Sequence, residues 1–253
     1  MITKLYRTIC YHIWFLRPLL HHPIEISFIR HAQSMRNRYT KGWRFSGPES
    51  VKSFVDVPDH KITLTEEGYK QAKESGEKIT GIVSPDVIIT SGYERTKQTL
   101  EGILEGSATW KHIPVVENLL IRERENGYVW SMLNDSHEKH FPYIQNYWDQ
   151  VGPLFSRPVG GESILDLIEK RLYRFFDEIN KEYAGKKVCL VTHGRVITGV
   201  RMLLENMSID EVEEILHSKT ECPKNVGLTV YAYNPWINTY KLKQYNKTYY
   251  KID

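Results

Sequence analysis

The residue types best suited to chemistry in this chain lie directly after short apolar runs. Arg30 and His31 follow the run "IEISFI", and His193 follows "KKVCLVT". Ser91 follows "DVIIT", and Arg95 lies about one helical turn further on. Together such side chains could hold an anion and attack it, because histidine can act as a nucleophile and arginine binds oxyanions in a bidentate manner.

A carboxylate suited to proton transfer follows a fourth apolar run. The run "IPVVE" at 113–117 precedes "NLLIRERENG", which contains Arg122, Glu123 and Arg124. Taken singly, each feature has a simpler explanation: a histidine after a strand is often a capping residue, and "RERE" could be a surface salt-bridge run. In an open α/β sheet, however, ligands bind beyond the carboxyl ends of the strands. Because the simpler explanations would have to hold at four strand ends together, the pattern favours one joint site.

The elements that must position these residues alternate between strand and helix. Branched and aromatic runs predict strands at 24–30, 86–90, 113–117, 186–192, 226–234 and 239–246. Helical spacing of apolar residues, with Thr65 as a cap for the first, predicts helices over 64–79, 94–104, 162–180 and 193–207. This order indicates a three-layer α/β/α fold, in which helices flank both faces of a mostly parallel sheet with an antiparallel edge.

The composition is that of a globular protein with a substantial core. The chain has 253 residues, of which 41% are hydrophobic and 26% are charged. Its formal charge of +3 and the lack of a basic arm exclude nucleic acid as an expected partner. Three cysteines without metal-ligand spacing favour a reducing compartment, so we expect a cytoplasmic location, with Cys189 as a small core residue.

The first 23 residues form an N-terminal extension that differs from the rest of the chain. They are apolar and aromatic, but Arg7, His12 and Arg17 interrupt them, so no stretch approaches the roughly 20 apolar residues of a membrane span. No small-residue cleavage site follows, as a signal peptide would require. An amphipathic arm remains an alternative, although we do not expect membrane contact through it. We predict one domain over 24–253.

Four motifs resemble one known family in content and in order. They are "RHAQS" at 30–34, "SGYERTKQT" at 91–99, "ERENG" at 123–127 and "VTHG" at 191–194. Their combination resembles the histidine phosphatase superfamily, also called the phosphoglycerate-mutase-like family. The resemblance covers about residues 24–233 and leaves the N-terminal extension outside.

The resemblance implies a role for each matching residue. His31 would be the nucleophile that forms a phosphohistidine, with its other ring nitrogen donating to a backbone carbonyl. Arg30 and Arg95 would clamp the phosphate, and His193 would add a third contact. Glu123 would be the general acid toward the leaving alcohol and then the base for water. Neither a metal nor another cofactor is expected, because these cationic groups neutralise the phosphate.

Further residues are expected to contact a small-molecule phosphate ester, the partner that the resemblance implies. Ser34, Asn37, Arg124 and Gly194 lie where the family binds phosphate or substrate. The long first loop and the later cap offer candidates for substrate choice, and these are Lys41, Trp43, Arg44 and Arg157. The sequence leaves the physiological substrate and the oligomeric state open.

Two departures from the family pattern bear on activity. Ala32 replaces the glycine that follows the histidine, which requires a φ that is not positive and a methyl group that clears the phosphate. The predicted helical cap, about 128–160, is short for a glycolytic mutase and favours water access. Hydrolysis is therefore preferred, with a mutase-type phosphotransferase and an inactive phosphate-binding module as alternatives.

Overall fold

A six-stranded sheet forms the centre of the protein. The computed structural model describes residues 21–41, 44–45, 56–127, 140–218 and 220–251. The strands of the sheet are β1 (Glu25–Arg30), β4 (Val87–Thr90), β5 (Val115–Glu117), β6 (Lys187–Thr192), β7 (Leu228–Asn234) and β8 (Thr239–Lys247). The short strands β2 (Thr40–Lys41) and β3 (Arg44–Phe45) pair with each other. In the order β5-β4-β6-β1-β7-β8, the first four strands are parallel and the last two antiparallel, which confirms the predicted sheet.

Helices connect the strands. They are α1 (Met35–Tyr39), α2 (Glu66–Ile82), α3 (Glu94–Gly106), α4 (Ile144–Phe155), α5 (Ile164–Leu167), α6 (Tyr173–Glu182), α7 (Gly194–Leu204) and α8 (Ile209–His217). A π-helical turn, Ile168–Leu172, joins α5 to α6. Three 3₁₀ turns complete the described set, at Asp59–Lys61, Ala108–Trp110 and Leu119–Ile121.

Side-chain caps explain where several helices begin. Thr65 accepts a hydrogen bond from the backbone N–H of Gly68 at 2.9 Å, which confirms it as the cap of α2. Ser163 and Asp166 form a reciprocal capping box at α5. Ser208 and Glu211 form the same kind of capping box at the start of α8. The sequence analysis missed this helix, although S-x-x-E spacing is a recognised signal of a helix N-terminus.

The central strands of the sheet are buried on both faces. On β1, Ile26 and Phe28 belong to a core that includes residues of α5, α6, α7 and α8. Ile29 belongs to the opposite core, which contains residues of α2 and α3. Successive strand residues point to opposite faces, so this division is what a sheet covered on both sides requires. Cys189 is fully buried in the second core, as predicted, and burial raises the pKa of its thiol to about 12.

Parts of the predicted extension and cap lie outside the described residues, namely 1–20 and 128–139. Within the cap, α4 is present and bends at Gly152 and Pro153, where Gly152 has a φ of 77°. Among the residues that the structure describes, no helix is long and apolar enough to cross a membrane. The division of the chain into an extension and one domain stays a prediction.

Candidate active site

The end of β1 places Arg30 and His31 at the centre of the sheet. β1 lies between β6 and β7, and the N–H of His31 extends the pairing by donating to the carbonyl of Thr192 at 2.8 Å. The His31 ring is only 3% exposed. Its Nδ1 lies 2.8 Å from the carbonyl oxygen of Ala32. Because a carbonyl only accepts, Nδ1 carries the hydrogen of the neutral ring and Nε2 carries the lone pair.

His31 stays neutral because of its surroundings. Burial lowers its pKa well below the ordinary value, and the nearby charges of Arg95 and Arg30 lower it further. The Nε of Arg30 is buried and has no hydrogen-bond partner within the described part of the chain. A neutral imidazole therefore lies beside a guanidinium that still has a donor to offer to an anion.

His193 packs against His31 and does not line the cavity of the site. The two ring centroids are 5.2 Å apart, and the Nε2 of His193 is 2.8 Å from the hydroxyl of Ser91. Burial, followed by the charge of Arg95, lowers the pKa of His193 well below its ordinary value. Its Nδ1 is buried without a partner among the described residues, so this atom is the one available for the predicted phosphate contact.

The spacing of Ser91, Arg95 and Thr99 has a structural explanation. Arg95 and Thr99 lie on one face of α3, because residues four apart on a helix are neighbours. Ser91 bonds His193, and the Thr99 hydroxyl accepts the backbone N–H of Ala32 at 2.9 Å. The motif thus ties both histidine segments to the helix that carries Arg95.

Arg95 is held in place by a carboxylate that the sequence analysis missed. Its Nη1 donates to the side chain of Asp59 at 2.8 Å and to the carbonyl of Asp59 at 2.7 Å. The guanidinium carbon also lies 4.7 Å from the centre of the Tyr93 ring. The local sequence around Asp59, "PDHK", does not indicate this contact, because the contact joins residues on two separate elements.

Ala32 does not obstruct the site. Its φ is not positive, since the non-glycine residues with positive φ that the structure describes are Asn206, Val226, Asn238 and Asn246. Its side chain is fully buried in the core with Leu64, Ala72 and Leu100, and it is not among the residues that line the cleft described below. The methyl group therefore points away from the place where a phosphate would bind, and the geometry meets both conditions set for an alanine here.

Glu123 lies on a loop that Glu162 and the π turn after α5 hold in place. Arg171 donates to the carbonyls of Arg122 at 2.8 Å and Glu123 at 3.3 Å, and it pairs with Glu162 at 2.7 Å. The Glu123 Oε1 accepts the backbone N–H of Arg124 at 2.9 Å. Arg171 therefore fixes the backbone at Glu123 without lining the cleft itself.

Ser34 and Asn37 form a turn shortly after His31. The Asn37 Oδ1 accepts the backbone N–H and the hydroxyl of Ser34, both at 3.1 Å. Asn225, which the sequence analysis missed, donates its amide to the carbonyl of His31 at 2.8 Å and to Asn37 Oδ1 at 3.3 Å. A loop distant in sequence thus fixes the backbone of His31 and the orientation of Asn37.

The loop at 222–227 also holds Arg30. The carbonyl of Pro223 accepts from Arg30 Nη1 at 2.6 Å, and the N–H of Val226 donates to the carbonyl of Arg30 at 3.0 Å. Val226 has a φ of 53°, which is uncommon for a β-branched residue, and its side chain is fully buried. The burial and the hydrogen bond explain why this conformation persists.

These residues surround a cavity of about 300 Å³, which we call the cleft. It is lined by Arg30, His31, Ser34, Arg36, Asn37, Arg95, Glu123, Arg124, Asn126, Gly194, Arg195, Thr198, Cys222 and Pro223. Gly194 begins α7, whose N-terminal N–H groups favour an anion. Arg36 and Arg195 are additions to the predicted set. Arg195 directly follows the "HG" pair, so its position in the sequence was a usable signal.

Other candidates from the sequence lie elsewhere. Arg157 makes a bidentate ion pair with Asp166, at 2.7 Å for each bond, and does not line the cleft. Lys41 and Arg44 lie in β2 and β3, and nothing further is described for their side chains. Trp43 falls outside the described residues.

The fold and the cleft define a class of α/β protein with a buried, neutral histidine inside an arginine-lined anion site. The family model of the histidine phosphatase superfamily (branch 1) matches residues 26–242. The chain therefore belongs to the histidine phosphatase superfamily.

Known proteins similar to this chain include both mutases and phosphatases. A 2,3-bisphosphoglycerate-dependent phosphoglycerate mutase 2 of Gloeobacter violaceus is 33% identical over 192 residues, which cover 74% of this chain and 78% of the relative. The α-ribazole phosphatase of Shigella flexneri matches with a TM-score of 0.69 at 17% identity, covering 90% of this chain and 99% of the other. A mycobacterial glucosyl-3-phosphoglycerate phosphatase with inorganic phosphate gives 0.64 at 19%, covering 88% and 97%. At such identities the two structures establish the fold alone.

Proposed function

We propose that this protein is a metal-independent phosphomonoester hydrolase that acts through a phosphohistidine at His31. The observation that carries the proposal is the neutral His31, whose Nδ1 is tied to the Ala32 carbonyl inside an arginine-lined cleft. A phosphoryl transfer needs an in-line nucleophile, neutralisation of the phosphate oxygens and a proton for the leaving oxygen. The cleft supplies candidates for all three.

In the first half-reaction, the lone pair of His31 Nε2 attacks phosphorus and the bond to the leaving oxygen breaks. Arg30 and Arg95 hold the equatorial oxygens, and the N-terminus of α7 adds favourable dipoles. Glu123, in its protonated form, gives its proton to the leaving alcohol. The products are a phosphohistidine at Nε2, a free alcohol and a carboxylate at Glu123.

In the second half-reaction, the Glu123 carboxylate takes a proton from water as the water oxygen attacks phosphorus. The bond between phosphorus and Nε2 breaks, which restores the lone pair of His31 and releases inorganic phosphate. Glu123 is protonated again and the cycle closes. The hydrogen bond from Nδ1 to Ala32 keeps the same tautomer throughout, so each phosphorylation starts from the correct ring form.

A mutase is the second candidate, because curated relatives such as that of Gloeobacter violaceus are phosphoglycerate mutases. A mutase must protect its phosphohistidine from water until an acceptor alcohol binds. The residues between Gly127 and Gly161 leave room for only a short cap, which favours access of water. This comparison supports hydrolysis as the main reaction.

Phosphate release from p-nitrophenyl phosphate in the presence of EDTA tests the proposal. We expect release that survives the chelator, is lost in His31→Ala and persists in His112→Ala, a control at an exposed histidine. With 3-phosphoglycerate and 2,3-bisphosphoglycerate, phosphoryl transfer would be detected as the formation of 2-phosphoglycerate. Transfer without net release of phosphate would overturn hydrolysis in favour of a mutase. Release that needs a divalent metal would overturn the metal-independent mechanism.

A further inference from the structure

The N-terminal extension has a charge balance that differs from the rest of the chain. Residues 1–20 contain three basic residues, Lys4, Arg7 and Arg17, and neither aspartate nor glutamate. The whole chain has 34 Lys and Arg against 31 Asp and Glu, so the 31 basic residues outside this segment are balanced by 31 acidic ones. The formal net charge of +3 therefore comes entirely from residues 1–20.

The sequence of the extension is also amphipathic. Apolar positions recur at helical spacing, and they are Ile2, Leu5, Tyr6, Ile9, Ile13 and Leu16. At about 100° per residue these six share one face of a helix, whereas Lys4, Arg7 and Thr8 fall on the other. Trp14 and Phe15 lie outside the apolar face and add aromatic surface next to it. A sequence that is basic on one side and apolar on the other is typical of segments that lie along a membrane surface.

The structure fixes the place where the extension joins the fold. The ring centroid of His22 is 4.7 Å from that of Tyr233, and the His22 carbonyl accepts the N–H of Gly185 at 2.9 Å. The carbonyl of Pro23 accepts the hydroxyl of Tyr240 at 2.9 Å. These contacts hold residues 22–23 against the end of β7 and the start of β8.

This place lies at the end of the sheet opposite to the cleft. The cleft lies at the carboxyl end of β1, where Arg30 and His31 are. β7 is antiparallel to β1, with Ala232 opposite Glu25, so β7 ends where β1 begins. A surface that bound this end of the molecule would leave the cleft open to water and to dissolved substrates.

The turn between β7 and β8 exposes large apolar side chains beside the extension. We call this turn, residues 235–238, the hairpin tip. Within it, Trp236 is 76% exposed and Ile237 is 58% exposed. Tryptophan is enriched where proteins meet the headgroup region of a membrane, because its ring is apolar and its N–H is polar. The hairpin tip is therefore suited to enter a lipid surface.

The charges near the hairpin tip show how the two features divide the binding. Charged residues of both signs lie at this end of the sheet, and they include Lys186, Lys187, Lys241, Glu25, Asp86 and Glu182. Because these charges largely offset one another, the folded part offers apolar contact with little net attraction for an anion. The extension, which carries the unbalanced positive charge, supplies that attraction.

We propose that the N-terminal extension and the hairpin tip together bind an anionic lipid surface. The apolar face of the extension, with Trp236 and Ile237, enters the headgroup region, while Lys4, Arg7 and Arg17 contact acidic headgroups. This departs from the expectation drawn from the sequence alone, because only the fold shows the exposed tip beside the extension. The proposal is independent of the proposed function, since lipid binding at this end involves none of the residues of the cleft.

Co-sedimentation of the full chain with lipid vesicles tests this surface. One set of vesicles is phosphatidylcholine alone, and in the other about one third of the lipid is phosphatidylserine. We expect a Kd at least about tenfold lower on the anionic vesicles, and a marked loss of binding at about 0.5 M salt, which screens the charges. Equal Kd values on the two sets, or no binding to either, would overturn the proposal.

A double substitution in the extension tests the role of its charge. We expect Lys4→Gln with Arg7→Gln to reduce the preference for anionic vesicles to about threefold or less. Lys70→Gln with Lys73→Gln, at two exposed lysines of α2, lowers the net charge by the same amount and should keep the full preference. An equal loss of preference in both double variants would show a general effect of net charge and would contradict the assignment to the extension.

A substitution in the turn tests the hairpin tip. We expect Ile237→Ser to raise the Kd on anionic vesicles at least about fivefold, because it removes apolar surface from the contact. Leu119→Ser, at a side chain that is also exposed but follows β5 at the cleft end of the sheet, should keep the wild-type Kd. An unchanged Kd in Ile237→Ser would exclude the tip from the binding surface. A dimer that Ile237→Ser dissociates in sedimentation velocity, with no binding to either set of vesicles, would overturn the proposal in favour of an interface between two copies.

Discussion

At the scale of single residues, the site is organised around keeping one histidine neutral among charged neighbours. Arg30 and His31 are adjacent in the sequence, yet only the arginine carries charge. Burial and the charges of Arg95 and Arg30 hold the pKa of His31 well below its ordinary value. The arginines that we propose bind the phosphate therefore also keep the lone pair of His31 available.

The role of Glu123 is testable at this scale. We expect Glu123→Gln to lower kcat on an alkyl phosphate such as glucose 6-phosphate by about 10²–10⁴-fold, the usual contribution of a general acid. The loss on p-nitrophenyl phosphate should be far smaller for the first step, because that leaving group departs without a proton. Burst kinetics with both substrates measure the phosphorylation step directly.

Glu125→Gln is the matched control for this substitution. Glu125 is an exposed carboxylate two residues away on the same loop and does not line the cleft. The Glu125→Gln substitution should leave kcat unchanged on both substrates. Equal losses on the alkyl and the aryl ester in Glu123→Gln would show that Glu123 acts in some other way than by protonating the leaving oxygen.

At the scale of elements, the loop after the nucleophile is fixed by the close approach of α2. A Cβ added to Gly68 would lie 2.0 Å from the carbonyl oxygen of Gln33, two residues after His31. The same loop is held by Thr65, whose N–H and hydroxyl both contact Gln33. The first turn of α2 therefore supports the backbone that follows His31.

We expect Gly68→Ala to destabilise the protein by about 1–3 kcal/mol, as overpacking of a rigid contact usually does. The substitution should also reduce kcat, because the backbone must shift next to His31. Urea unfolding, together with phosphate release at saturating substrate, measures both effects.

Gly81→Ala in the same helix is the control. Nothing lies within 4 Å of a Cβ added there, so the substitution should stabilise the protein by about 0.5–1 kcal/mol through helix propensity. If Gly68→Ala is as harmless as Gly81→Ala, the close approach of α2 is not what fixes the backbone after His31.

The sequence predicted which residues lie at the ends of the strands far better than it predicted the contacts between those residues. Apolar runs followed by Arg30, Ser91, Glu123 and His193 were enough to place these residues at one edge of a parallel sheet. Asn225, by contrast, acts through hydrogen bonds to residues more than 180 positions away. No local pattern reports such a contact. The π turn after α5 was likewise hidden, because its apolar spacing reads as an ordinary helix.

At the scale of the whole molecule, the buried histidines make stability depend on pH. His31 and His193 have pKa values well below 6.5 in the folded protein, whereas an unfolded chain would give them ordinary values near 6.5. The unfolded state then binds more protons as the pH falls below about 6.5, and the free energy of unfolding falls with it. Each buried histidine should contribute a slope of up to about 1.4 kcal/mol per pH unit below that value.

We expect this slope to be smaller in His193→Gln than in the wild type, as measured by urea unfolding between pH 7.5 and 5. His112 is exposed and lies far from the buried histidine pair in the sequence, so His112→Gln should keep the wild-type slope. An unchanged slope in His193→Gln would mean that this histidine takes up a proton at the same pH in the folded and the unfolded protein, contrary to its burial in the site.

The central claim, a phosphohistidine at His31, is tested most directly by trapping it. The protein is mixed with a substrate, quenched in alkali within milliseconds, digested and analysed by mass spectrometry. The account predicts one phosphorylated peptide, containing His31, that is stable in alkali, labile in acid and absent from His31→Ala. Turnover of phosphate esters without any phosphohistidine peptide, or with the phosphate on His193, would contradict the account.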